Sequence, residues 1–430
     1  MHAALKRLLT AGAVLAMATS AAAAAEPVTL EVLHCWPSHS RFHEPIAAEF
    51  MKANPDITIV YRQPCTSYQE GAQSVMRDEA TGQMPDVVYT GYNMLSEVAR
   101  HLAAKDELVD LGPLMAAEGA DWVKQNYADR TLALGQIDGL QVGLPFNAST
   151  PIAYYNLDLV AKAGGDPDKL PATWDEVIDL ARRIGETGDG ADGISFAINS
   201  WDADWLWQAM VFQENGRIVA PDGKHVAFGD ATGRAALDLS RRIAVETKMP
   251  FLDPDQSIQQ FTAGKLGMFI GSTAEVRTMD QGVGDKFTFA TGPYPSSGKE
   301  PGGLPIGGNA AMILTKDPAK QAAAWRWVKF VTGPEGQKIA VLGSGYMPTN
   351  LRTAEPAYLG DFYAEHPNWT TSMKQWNKAL PWEGYPGNAG TKIWEEQMDV
   401  LTAVMRDQMS VDDGLKVMVE KTEALMNASN

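Results

Sequence analysis

The stretch TLEVLHCWPSHSRFHEPIAAEFMKAN, residues 29–54, decides the fold. Its first part, TLEVLHCW, reads as a strand. In its second part, RFHEPIAAEFMKAN, Phe42, Ile46 and Phe50 recur at fourfold spacing, the mark of one helix face, with Pro45 tolerable in a first turn. The order then repeats. ITIVYR is a strand and SYQEGAQSVMRDEATG a helix. PDVVYT is a strand and NMLSEVARHLAA a helix with Leu95, Val98 and Leu102 on one face. Alternating strands and helices predict an α/β fold built on a mostly parallel sheet. In open sheets of that kind a ligand sits beyond the carboxyl ends of the strands. Those ends are Trp36-Pro37-Ser38-His39, Thr66-Ser67-Tyr68 and Thr90-Gly91-Tyr92-Asn93, rich in hydroxyl, amide and aromatic groups and free of acids. They suit a neutral, hydroxylated molecule.

The same segment raises the question of a metal. His39 and His43 are four apart, a zinc spacing when both lie on one helix face. Pro37 precedes them, however, the helix starts near Arg41, and no nearby Asp or Cys set completes a tetrahedron. No metal and no cofactor is expected. Cys35 and Cys65 follow consecutive strands, TLEVLHC and ITIVYRQPC, whose neighbouring ends favour a disulfide; two buried thiols are the other reading.

Catalytic motifs are missing. There is no HExxH, nucleophile elbow, P-loop or CxxC. Ser296 and Lys299 match SxxK only inside a Pro/Gly-rich loop. Asp202 and Asp204, in SWDADWLWQ, are the nearest thing to a glycosidase pair, but a spacing of two says nothing of opposed carboxylates. No catalytic residue is assigned.

The first 25 residues read as a cleaved export signal: Lys6 and Arg7, then an acid-free apolar run, then an Ala-rich stretch before Glu26. A periplasmic location follows as an expectation. The chain has 36 basic and 53 acidic residues; losing Lys6 and Arg7 takes the net charge from −17 to −19. So acidic a surface argues against nucleic acid or anionic lipid as a partner. About 405 residues remain, enough for two ordinary lobes.

Near residue 145 the pattern changes. LPFNASTPIAYYN leads into a helix opened by Thr173 and Glu176 as a capping box, with Trp174, Val177, Ile178, Ala181 and Ile184 as its buried stripe. GGLPIGGNAAMILTK is a Gly-rich strand entry, and the helix AAAWRWVKFVTGPEG follows it. With no repeats and no low-complexity linker, the lobes are expected to interleave. Twelve tryptophans are many. Trp174, Trp325 and Trp327 fall in helical stripes and belong to the core. Trp36, Trp201, Trp205 and Trp382 have polar or glycine neighbours and suit stacking on sugar rings.

With these pieces assembled, the chain resembles the family 1 extracellular solute-binding proteins of ABC importers, nearest the branch that binds glycerol 3-phosphate and glycerophosphodiesters. The likeness spans essentially the mature chain. It is most specific in LPFNASTPIAYYNLDLVAKAGGDPDKLPATWDEV (144–177), IGGNAAMIL (306–314) and GSGYMPTN (343–350). It implies a two-lobe periplasmic-binding-protein type II fold, each lobe a mostly parallel sheet, with a cleft closed by hinge bending. The lobes implied are 26–147 plus 309–345 and 148–308 plus 346–430, with hinge crossings in 144–152 and 305–309. It also implies a monomer that docks on a membrane permease and breaks no bond. Carried over residue by residue, the pocket becomes Tyr68, Ser149, Trp201, Ser272, Gly308 and Tyr346. Tyr92 stands where that branch has a glutamate, and Lys392 or Ile393 near its late arginine. Losing the planar guanidinium weakens a phosphate reading. The expected ligand is therefore a sugar or glycosyl-glycerol-like solute, gripped also by Trp36, Ser38, His39 and Asn93. Glycerol phosphate or its diesters, and an acidic sugar held by Arg41, His39 or Lys392, are the alternatives.

Overall fold

The computed structural model describes residues 27–188, 190–196, 201–387 and 389–428, without the side chains of 201–203. Two sheets organise it. The first has six strands: β1 (Val28–Leu33), β2 (Ile57–Tyr61), β3 (Val87–Gly91), β4 (Leu144–Ser149), β9 (Leu304–Ile313) and β10 (Ala379–Pro381). The second has four: β5 (Pro151–Asn156), β6 (Asp192–Phe196), β7 (Leu266–Ser272) and β8 (Phe289–Pro293).

In the first sheet β1 runs parallel to both β2 and β3, as alternating strands and helices require. The intervening helices are α1 (Ser40–Ala53) and α2 (Tyr68–Thr81), and α3 (Tyr92–Ala104) follows β3. Phe42, Ile46 and Phe50 are all buried on α1, and Leu95, Val98 and Leu102 on α3. The strand β9 then inserts antiparallel between β3 and β4, pairing Asn309 with Gly91 on one side and Gly308 with Ala148 on the other.

The second sheet departs from the mostly parallel arrangement expected. The β6–β7 pair is parallel, but β5–β7 and β5–β8 are antiparallel. The reason is local: β5 follows β4 after the single residue Thr150, so it enters the second sheet with no crossover helix to set its direction. The chain passes between sheets at Thr150 and again between Pro293 and Leu304. The lobe boundaries expected at 147/148 and 308/309 thus fall inside β4 and β9. Helix α4 (Trp174–Gly185) shows the capping box, with the Thr173 side chain accepting the Glu176 amide and Glu176 returning to the Thr173 amide. Trp174, Trp325 and Trp327 are buried, as their spacing indicates. Among the described residues no helix is long and apolar enough to cross a membrane.

Cys35 and Cys65 do sit side by side, bridging the ends of β1 and β2 in parallel. The expected disulfide is not what holds them. Both are buried free thiols, and the hydrogen bond from Cys65 together with burial pushes the Cys35 thiol well up. The strand ends are joined by backbone instead: Trp36 N–H donates to the Cys65 carbonyl and Cys65 N–H to that of His34.

Candidate functional site

A cavity of about 600 Å³ opens between the two sheets. Its first wall grows out of the segment after β1. Trp36 turns in the left-handed region, φ +65°, into the short turn Pro37–His39 that leads to α1. That sharp turn brings the Trp36 ring edge-on to Tyr68, 5.7 Å between centroids, and His39 edge-on to Tyr346 at 5.7 Å. Tyr68, the first residue of α2, accepts a hydrogen bond from Asn309 Nδ2 at 3.1 Å. Gly91 makes room for it: a Cβ there would come within 2.4 Å of the Tyr68 ring. Trp36, Ser38, His39 and Tyr68 all line the cavity.

The floor comes from the crossing strands. Ser149 ends β4 opposite Gly307 of β9, and the next residue, Gly308, has φ +121°, a conformation that favours glycine. A Cβ at Gly308 would meet the Asn147 carbonyl at 2.2 Å. The far wall belongs to the second sheet. Ser272 ends β7, and its Oγ accepts the Ala274 amide. Glu275 and Thr278 follow, and Asp253 and Asp255 stand at the start of helix α5 (Pro254–Thr262). Asp253 caps that helix by accepting the Gln256 amide at 2.8 Å. Trp382 closes one side, its Nε1 donating to Asp204 Oδ2 at 2.8 Å. Asp204 also faces Gln208, and Gln208 in turn donates to the Glu383 carbonyl.

Burial governs the ionisation of this region. It drives His39 down to about 3, helped by Arg41 and His34, so the ring is neutral near pH 7. It lifts Asp204 to about 6 despite hydrogen bonds from Trp382 and Gln208. Glu275 is raised by burial, with Arg41 acting against that and Asp255 adding to it.

Of the residues expected from the sequence, Trp36, Ser38, His39, Tyr68, Ser149, Ser272, Gly308 and Tyr346 are thus brought around one cavity. Others are placed elsewhere. Tyr92 is buried and its hydroxyl donates to the Asn147 carbonyl at 2.9 Å, so it braces the floor from below. Asn93 is buried beside Gly384, whose Cα has space for no side chain against the Asn93 carbonyl. Lys392 pairs with Glu396 on the exposed face of helix Gly390–Met405, away from the cavity. Trp205, expected to face a sugar, is fully buried and donates to the Pro305 carbonyl. The Trp201 side chain lies outside the described residues, as does that of Asp202. Asp204 serves Trp382 and has no opposed acid described. His43 lies in the core, stacked on His34 at 4.2 Å and on Phe146 at 5.3 Å. Among the described residues no group of three potential metal ligands stands together.

The acidic wall was not expected. Asp253, Asp255 and Glu275 belong to the second sheet's helices, whose approach to the first sheet no local pattern reveals. The one signal available was the Asp253-x-x-Gln256 capping box, which marks a helix start.

Comparison with known proteins agrees with this architecture. The sn-glycerol-3-phosphate-binding periplasmic protein UgpB of Rhizobium meliloti is 24% identical over 342 residues, 76% of this chain and 77% of its own. The crystal structure of UgpB from Mycobacterium tuberculosis in complex with glycerophosphocholine aligns with a TM-score of 0.80 at 19% identity, covering 94% of this chain and 99% of that one. The cyclic alpha-maltosyl-1,6-maltose binding protein from Arthrobacter globiformis aligns with a TM-score of 0.74 at 21% identity, over 94% and 100% of the two chains. At these identities the solved structures establish the fold. The model of the bacterial extracellular solute-binding proteins matches residues 36–338, and the chain belongs to that family.

Proposed function

We propose that the chain captures a carbohydrate, or a glycosyl-glycerol-like solute, in the periplasm and delivers it to an ABC permease by closing its two lobes. The observation that carries this reading is the make-up of the cavity. Rings from Trp36, Tyr68, Tyr346 and Trp382 stand among the hydroxyls of Ser38, Ser149 and Ser272, drawn from both sheets. Aromatic faces pack on the C–H surface of a sugar while short polar groups take its hydroxyls. A ligand touching both walls favours the closed arrangement, because only that arrangement contacts it from two sides.

Calorimetry against a panel of oligosaccharides tests the proposal, with the solution recovered and its sugars separated afterwards. Saturable one-to-one binding with the sugar returned intact is expected. Turnover of the sugar would identify an enzyme and overturn it. A second reading, glycerol 3-phosphate or its diesters, is favoured by the names of the relatives above. Titration with sn-glycerol 3-phosphate in the same apparatus separates the two: tighter binding than any sugar in the panel would select the phosphate.

A further inference from the structure

The charges of the cavity wall do not match a neutral ligand. Among its described residues Arg41 is the one cation, since His39 is neutral. Against it stand Asp253, Asp255 and Glu275. Asp253 is committed to the Gln256 amide. Asp255 enters no ion pair among the described residues, while Glu275, raised by burial, has a hydrogen bond from Thr278 and the charge of Arg41 acting in favour of its ionised form. Cavity closure would strip further water from both carboxylates, and two desolvated acids against one guanidinium are costly.

An anionic ligand fares worse. A phosphate would face three carboxylates and one guanidinium. Two helix starts by the cavity could have offered amides, but Asp253 caps α5 and Ser67 caps α2 by accepting the Glu70 amide. The wall nonetheless holds polar groups left open to the cavity. His39 and Ser149 are more than nine-tenths buried, line the cavity, and have no side-chain hydrogen bond among the described residues.

We propose that the captured solute carries a protonated amine on a hydroxylated frame, the amine facing Asp255 and Glu275 and the hydroxyls facing His39 and Ser149. This rests on the carbohydrate reading and narrows it to amino-substituted sugars. An ammonium satisfies the two carboxylates at once, and its other flank can lie on the aromatic rings.

The test is calorimetry near neutral pH with two probes, an oligosaccharide of glucosamine and its fully N-acetylated counterpart. They share a ring and differ in the charge. The amine-bearing probe is expected to bind at least about tenfold tighter. D255N and E275Q should each weaken it at least about fivefold and leave the acetylated probe within about twofold, since only the charge pairing is removed. Asp255 is exposed, so D255N keeps the test intact even if E275Q unfolds. Equal or tighter binding of the acetylated probe, or unchanged amine affinity in D255N, overturns the amine and leaves sugar capture standing. Failure of the amine-bearing probe to bind overturns it as well. If both oligosaccharides fail and sn-glycerol 3-phosphate binds, the carbohydrate reading falls with it.

Discussion

Gly308 shows how much one residue can set. Its φ of +121° and the Asn147 carbonyl 2.2 Å from a would-be Cβ leave no room for a side chain. Gly308→Ala should cost at least about 2 kcal/mol of stability and weaken solute binding, because the floor strand must shift. Thermal melts and calorimetry of the variant check both. The buried histidines make a second prediction. Burial lowers His34, His39 and His43 below the ordinary imidazole value. Above about pH 6.5 they are neutral in both folded and unfolded chains and leave stability unchanged with pH. Below it the unfolded chain takes up protons that the folded chain refuses, so stability falls as pH falls, toward about 3 for His39. His43 has both ring nitrogens buried without partners, which makes it the sharpest case. His43→Phe should lessen the loss between neutral pH and about pH 5 by up to roughly 2 kcal/mol, read from denaturant melts across pH. A variant as acid-sensitive as the parent would show that His43 is not the source. Asp204, raised to about 6, acts in the opposite direction over its own range and tempers the acid limb.

At the scale of elements, the first three strands and their helices were readable because each carries its own pattern: fourfold apolar spacing on α1 and α3, a capping box on α4. Thr173→Ala should remove about 1 kcal/mol by freeing the Glu176 amide and the reciprocal bond, a loss that Thr173→Ser should largely avoid. Chemical denaturation of the two variants compares them. The direction of β5 was not readable, since it depends on the one-residue link at Thr150 rather than on anything within the strand. Trp205 misled for a related reason. Its neighbours Asp204 and Asp202 are polar, yet helix Trp201–Gln213 carries apolar residues nearly all round, and 205 lands on its inner side. Of the strand-end residues, Trp36, Ser38, His39 and Tyr68 were legible because sheet topology delivers them to one edge, whereas Tyr92 and Asn93 turn into the packing around that edge. Asp255 and Glu275 were not, because they reach the cavity only once two separate sheets have been brought face to face.

For the whole molecule, closure is the property to measure. The walls of the cavity come from different sheets joined at Thr150 and between Pro293 and Leu304, so a bound solute links them. Addition of a binding sugar should shrink the radius of gyration in X-ray scattering. It should also raise the melting temperature with ligand concentration, as stability grows by about 2.7 kcal/mol at a hundredfold excess over Kd. Unchanged scattering at saturation would mean that the sheets do not move on binding.

The contact between Trp382 and Asp204 has an optical consequence. An indole whose N–H points at a carboxylate emits according to whether that carboxylate is charged and whether water reaches the ring. Twelve tryptophans contribute to the emission of this chain, but Trp382 lies in the cavity wall beside an acid titrating near 6. The difference spectrum between the parent and Trp382→Phe should therefore change intensity around that pH in the empty protein and shift when a solute fills the cavity. The protein would then report its own occupancy without any attached dye.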